Sequence, residues 1–238
     1  MRKHYFILIL FFYSLTVMSQ ASVAGKNILV VYGGWEGHKP KIFADKIASW
    51  LKEKKANVIL SRSTSSYKDN DLMDSLDLVI QHITMSKISG EESAGLRKAI
   101  ASGVGLAGCH GGLGDSFRND TEFQYMIGGQ FVSHPGGQIK YKVNILDKTD
   151  PITRGIYDFE LTSEQYYMHI DPMIEVLATT KFSGENDEWI DGVEMPVVWK
   201  KIYGKGRVFY SALGHSEDIF EISEAWDLMT RGIEWAVK

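Results

Sequence analysis

Five consecutive apolar residues, Ile28-Leu29-Val30-Val31-Tyr32, run directly into Gly33-Gly34. A strand that is apolar on both faces must be covered on both faces, which is the condition of a central strand in a parallel sheet. The next segment supplies one cover. Pro40 sits where a first helical residue tolerates its missing N–H, and Phe43, Ile47, Trp50 and Leu51 recur at helical spacing. An amphipathic helix is therefore expected over residues 40–54, followed by strands at 57–60 and 76–81. Ser89 is placed to cap a helix carrying Glu91, Glu92, Leu96 and Ile100, which Gly103 ends before a glycine-rich fourth strand at 105–108. Strand, helix, strand, strand, helix, strand at these intervals predicts an α/β fold, a mostly parallel sheet with helices on both faces.

The second half has a different rhythm. Residues 138–146 alternate, with Ile139, Tyr141, Val143 and Ile145 on one side, as a half-buried strand does. Further strands are expected at 173–179, 197–202 and 207–211, the last two joined by Gly204-Lys205-Gly206 as a hairpin turn. Residues 224–237, with Ala225, Leu228, Ile233 and Trp235, read as a closing helix. No linker, repeat or low-complexity segment interrupts residues 26–238, so a single domain with extra antiparallel strands in its second half is expected.

The first 21 residues read as an address. Arg2, Lys3 and His4 precede an apolar stretch over residues 5–18, and Ser19-Gln20-Ala21 offers small residues at a cleavage site. As a helix the stretch rises about 21 Å, short of the roughly 30 Å hydrocarbon core. A cleaved signal peptide is therefore expected at residues 1–21, with the mature protein periplasmic or secreted and no membrane span after cleavage.

Composition narrows the partners. With 30 acidic against 26 basic residues and no Lys/Arg cluster, a nucleic-acid surface is disfavoured. The single cysteine, Cys109, excludes a disulfide scaffold, so stability has to come from the core. A saccharide suits this balance better than a phosphate backbone; a homo-oligomer is left open.

Ligands in such sheets bind beyond the carboxyl ends of the strands. Three loops belong there, at residues 33–38, 109–115 and 214–218, and each carries a histidine: His38, His110 and His215. Gly103-Val104-Gly105-Leu106-Ala107-Gly108 matches the dinucleotide fingerprint in letters but follows a helix and enters a strand, the reverse of the required context. The elbow Ala107-Gly108-Cys109-His110-Gly111-Gly112 admits two registers, because either Cys109 or His110 has small residues two positions to each side. With Cys109 at the apex, His215 would be its base and Glu217 the orienting acid, a thiol-hydrolase arrangement. With His110 at the apex, Cys109 turns into the sheet as a small hydrophobe.

His134 and His169 also fall in predicted loops, whereas His82 follows the third strand and reads as a strand-end residue. Imidazole is the usual general base and a common ligand of borderline metals. The sequence lacks a His-Glu-x-x-His pair, so a divalent ion such as zinc would need ligands from distant loops, with His38, His110 and His134 the candidates. Trp35, beside Gly34, is the best placed aromatic for stacking on a sugar ring.

The chain resembles the ThuA-like family, named for trehalose utilisation and related in fold to class I glutamine amidotransferases. The resemblance covers residues 28–237. It rests on Gly37-His38-Lys39, on the stretch from Gly105 through Cys109-His110-Gly111-Gly112, and on Gly128-Gly129 through His134-Pro135. It continues through Thr162-Ser163-Glu164-Gln165-Tyr166, Met195-Pro196 to Trp199, and Gly206 to His215. The implied fold is flavodoxin-like or class I glutamine amidotransferase-like. That family's elbow usually presents histidine, which favours the His110 register, although this chain keeps Cys109 and His215-Ser216-Glu217 beside it.

The resemblance implies saccharide or polysaccharide catabolism. The expected activity is that of an exported enzyme acting on a mono- or oligosaccharide, a keto-sugar among the candidates, through acid/base chemistry at His110 and His215. His38, His134, Glu164, Tyr166 and His169 would then bind substrate hydroxyls or hold a metal. The rival expectation is a non-catalytic sugar-binding module in which Trp35 and Tyr166 stack on the ligand; the third is the Cys109-His215-Glu217 thiol hydrolase.

Overall fold

The computed structural model describes residues 22–238, and the expected leader at 1–21 lies outside the described residues. The elements follow in the order β1 (Asn27–Gly34), α1 (Pro40–Glu53), β2 (Asn57–Ser61), α2 (Asn70–Ser75), β3 (Leu78–Thr84), α3 (Gly90–Ser102), β4 (Gly105–Cys109), α4 (His110–Gly114) and α5 (Thr121–Ile127). Then come β5 (Gly129–Ser133), β6 (Gln138–Ile145), β7 (Phe159–Glu164), β8 (Tyr167–Ile170), β9 (Glu175–Lys181), β10 (Glu194–Tyr203), β11 (Gly206–Ser211) and α6 (Ser223–Ala236).

Nine strands form one sheet in the order β2-β1-β3-β4-β11-β10-β9-β6-β7, and β5 pairs with β8 in a second, two-stranded sheet. β2, β1, β3, β4 and β11 run parallel to their neighbours. From β11 onward each pairing is antiparallel. The fold is thus mixed α/β, a parallel half extended by an antiparallel wing. Every residue of β3 and β4 is buried, whereas β2, at the rim, exposes Ile59 and Leu60. Burial on both faces is what the unbroken apolar runs demand.

Right-handed crossovers put α1 on one face, because the chain steps outward from β1 to β2, and α2 and α3 on the other, because it then steps back past β1 to β3 and β4. Trp50 of α1 and Trp226 of α6 meet edge to face at 6.1 Å, so α6 shares the first face. Local signals explain where these helices begin. Pro40 opens α1, and Ser89 caps α3 in a box with Glu92 that satisfies two amide donors at once.

Several boundaries differ from the sequence reading. β3 begins at Leu78 and extends to Thr84, because Leu76 ends α2 and Asp77 is engaged by the amide of Asn27 and the ammonium of Lys26. His82 therefore lies inside a buried strand rather than at its end. β9 starts at Glu175, two residues late, and α2, α5, β5, β7 and β8 were not expected. The last three are short strands whose pairing depends on contacts remote in the chain. Among the described residues no helix is long and apolar enough to cross a membrane.

Candidate functional site

The three carboxyl-end loops converge. His38 closes a single turn of 3-10 helix, Glu36–His38, ahead of α1; His110 leads α4 directly from β4; His215 follows β11. Their ring centroids are 4.8 Å (His38–His110), 5.2 Å (His38–His215) and 5.5 Å (His110–His215) apart. Glu164, the last residue of β7, completes the group. β7 is the far edge of the sheet in strand order, so the antiparallel wing must curl back over the parallel half to deliver that carboxylate.

His110 takes the elbow apex with φ 48°, in the left-handed region that costs a side-chain-bearing residue about 1–3 kcal/mol. Close approach is made possible by two glycines. A Cβ on Gly111 would stand 2.6 Å from His38 Cε1, and one on Gly112 would stand 2.1 Å from His82 Nδ1. Cys109 points the other way, wholly buried, with Sγ 3.8 Å from His82 Nδ1. Burial pushes its thiol well above the usual range, and a thiolate nucleophile needs the opposite environment. Glu217 does not orient His215 either. It pairs with Lys39 Nζ at 2.8 Å, and the carboxylate facing His215 is Glu164.

The hydrogen bonds fix how each imidazole is turned. His110 Nδ1 is 2.8 Å from the Ala212 carbonyl, which can only accept, so Nδ1 carries the proton and Nε2 points into the cluster. His38 Nδ1 engages Thr84 Oγ1 at 2.9 Å, leaving its Nε2 inward as well. His215 is contacted on Nε2 by the Gln138 amide at 3.2 Å and presents Nδ1 to Glu164 Oε2, also at 3.2 Å but off the axis of a hydrogen bond. Gln138 is the cross-strand partner of Glu164, and an amide can offer either its NH2 or its oxygen to that ring.

Glu164 Oε2 lies 3.0 Å from His110 Nε2. Burial opposes charge on these rings: it lowers the His38 pKa to about 3, helped by His110, His82 and His215, and it lowers that of His110. Burial also opposes ionisation of Glu164, but its interactions with His110 and His215 outweigh this and hold the carboxyl well below the usual range. A carboxylate oxygen and an imidazole lone pair sit 3.0 Å apart only with positive charge between them. Ligand atoms of His38, His110, Glu164 and His215 all lie within 4.8 Å of one another. Three inward imidazole nitrogens, two with the opposite nitrogen already fixed, plus one carboxylate, form a donor set suited to a divalent transition metal.

The remaining candidates fall around this group. His134 is not in the ligand set; its Nε2 is 3.7 Å from the outer oxygen, Glu164 Oε1, its side chain is partly exposed, and its Nδ1 has no hydrogen-bond partner. Tyr166 is buried, with its ring 4.1 Å from that of His110 and 4.5 Å from that of Phe131. It offers no face for stacking on a sugar. Burial raises its pKa well above the usual value, so its hydroxyl, 2.8 Å from His110 Nε2, stays a donor. Trp35 is 46 % exposed and meets His38 edge to face at 4.8 Å. His169 is exposed on β8 opposite Gln130 and does not join the converging atoms.

His82 underlies the group, stacked on Phe43 at 4.0 Å, with burial lowering its pKa to about 3. The unfolded imidazole takes its proton near pH 6.5, so between there and about pH 3 the unfolded state binds more protons. Stability of the metal-free protein is expected to fall as pH drops through that window, by about 1.4 kcal/mol per pH unit for this group. Urea unfolding from pH 7 to pH 4 checks it: His82→Phe should flatten the slope by about one proton, and an unaltered slope refutes the assignment.

The family described as ThuA, trehalose utilisation, matches residues 27–236. A putative ThuA-like protein from Bacteroides uniformis superposes with a TM-score of 0.72 at 18% identity, over 92% of this chain and 93% of that one. One from Parabacteroides merdae gives 0.72 at 20% identity, over 89% and 90%. A β-galactosidase from Bacillus circulans matches at 0.54 and 14% identity, over 92% of this chain but 32% of its own. No curated protein matches the sequence significantly.

Proposed function

Because the chain belongs to the ThuA family, whose description ties it to sugar metabolism, we propose that it is a divalent-metal-dependent enzyme acting on a mono- or oligosaccharide after export from the cytoplasm. The observation that carries the reading is the convergence of His38, His110, Glu164 and His215 within 4.8 Å. His38 Nε2, His110 Nε2, His215 Nδ1 and Glu164 would hold the ion, with Thr84, the Ala212 carbonyl and Gln138 fixing the three rings from behind. A bound ion supplies Lewis acidity toward a sugar carbonyl or hydroxyl oxygen.

The chain's own groups supply the proton chemistry. Tyr166 holds a proton on its hydroxyl at the centre of the group and donates a hydrogen bond where negative charge develops on a substrate oxygen. His134, on the solvent side of Glu164, has a buried Nδ1 with no partner and an Nε2 facing the carboxylate. It moves a proton between substrate and water. Trp35 covers the entrance beside His38 and offers an apolar face to the ring. Proton transfer next to a polarised carbon–oxygen bond, as in isomerisation or elimination on a keto-sugar, uses all of these groups.

The test is turnover of oligosaccharides and their oxidised forms by the purified protein, with zinc and with chelator. Activity that disappears on chelation, returns with zinc and is absent from His110→Ala supports the reading. Turnover indifferent to both refutes it. The exposure of Trp35 favours a second reading, a sugar-binding module; calorimetric binding without turnover that is lost in Trp35→Ala would identify it.

A further inference from the structure

A cavity of about 720 Å³ opens beside the histidine cluster, lined in part by Met85, Lys87, Ile88, Phe117, Arg118 and Asn119. Its volume falls in the range of roughly 300–1,000 Å³ usual for small-molecule sites. Its two walls belong to the segments that position the cluster. One wall leaves β3 immediately after Thr84, the residue that holds His38; the other follows α4, which His110 begins. The walls are tied together where the amides of Met85 and Ser86 donate to the carbonyls of Asp115 and Ser116, both at 2.8 Å.

A short relay of contacts joins cavity and cluster. The His110 ring lies 4.1 Å from Tyr166, Tyr166 lies 4.5 Å from Phe131, and the Arg118 guanidinium sits 5.7 Å over Phe131. These steps bound the separation to the length of a few sugar rings.

The chemistry of the walls is particular. Met85 has φ 47°, a strained conformation for a side-chain-bearing residue, and it is 45% exposed. Core packing therefore does not account for an apolar side chain displayed there at a conformational cost. Arg118 is held by Asp115 through Nε and Nη2, at 2.6 and 2.7 Å, which neutralises its charge and leaves Nη1 free to donate. Lys87 and Asn119 are exposed polar groups at the rim. The first turn of α3 is already satisfied by the Ser89–Glu92 box, so recognition there falls to side chains.

We propose that this cavity is the subsite for a second sugar ring, so that the protein takes a disaccharide or longer saccharide with one ring at the histidine cluster and the next in the cavity. Met85 and Ile88 cover the apolar face of that ring, while Arg118, Lys87 and Asn119 bond its hydroxyls. The assignment rests on the reading of the cluster as a saccharide site.

Calorimetric titration of the zinc-loaded protein with glucose, trehalose and cellobiose tests it. At least one disaccharide is expected to bind tenfold or more tightly than glucose. Asn119→Trp, an exposed position whose indole would fill the cavity, should bring the disaccharides down to the level of glucose, and Lys87→Ala should reduce the difference several-fold. Disaccharides that bind no better than glucose, or a preference that survives Asn119→Trp, overturn the subsite. Zinc titration of the same samples separates the two ideas. A protein that takes up no zinc but keeps the Asn119-dependent preference refutes the metal reading alone.

Discussion

Replacing Glu164 by Gln is expected to weaken zinc binding by more than 100-fold and to remove turnover, while changing the stability of the metal-free protein by no more than about 1 kcal/mol. Loss of an outer-shell partner alone costs roughly 10–100-fold in metal affinity, and Glu164 is placed as a ligand. It brings the only negative charge among the four converging groups, so it balances the cation as well as binding it. The fold should tolerate the change because Gln keeps the volume and reverses a local conflict. An amide NH2 can donate to the inward lone pair of His110, at a position where the carboxylate oxygen now stands 3.0 Å away. Metal content after dialysis and urea unfolding of the metal-free forms measure both parts. If Glu164→Gln retains zinc at the parent's affinity, the carboxylate is not a ligand and the metal-dependent reading loses its charge balance.

The sheet's parallel half was legible because its signals are local. The apolar run at residues 28–32, Pro40 at the start of a helix and the Ser89–Glu92 box each act within a few residues and correspond to β1, α1 and α3. The glycines around His110 were legible too, but their cause was not. Gly111 and Gly112 make room for the rings of His38 and His82, which approach from other strands. That contact also settles which elbow residue faces the cluster, since Cys109 ends a buried strand and His110 begins the turn.

The electrostatic pairing inside the site was not legible. Glu217, two residues from His215, invited a local partnership, yet Lys39 captures it across the loop. The carboxylate that His215 meets comes from Glu164, through the curl of a wing whose edge strand carries no strong periodic signal. The resemblance to the ThuA-like family had named Glu164 and Tyr166 as site residues, but not that Tyr166 is buried or that His134 stands outside the ligand set. Those distinctions depend on side-chain burial, which follows from packing between segments far apart in the chain.

A single methyl group at residue 111 should separate the geometry of the cluster from its composition. Gly111→Ala leaves all four ligand groups in place, and the backbone there is not in the left-handed region, so alanine suits α4. Its Cβ, however, would stand 2.6 Å from Cε1 and 2.9 Å from Nδ1 of His38, and 3.0 Å from Cγ2 of Thr84. The ring is held at Nδ1 by Thr84 and buried, so relief means turning or shifting it, which moves Nε2 off the common point. Zinc affinity is expected to fall at least tenfold, with a loss of stability of about 1–3 kcal/mol from the crowding. Gly112→Ala is the control one residue on. Its Cβ would collide with His82, at 2.1 Å from Nδ1 and 2.8 Å from Cα, so a similar destabilisation should come with a smaller effect on zinc. Zinc titration and thermal unfolding of the two variants decide the matter. Equal zinc affinity in Gly111→Ala and the parent would mean that His38 contributes no ligand atom, and the cluster would have to be rebuilt around His110, Glu164 and His215.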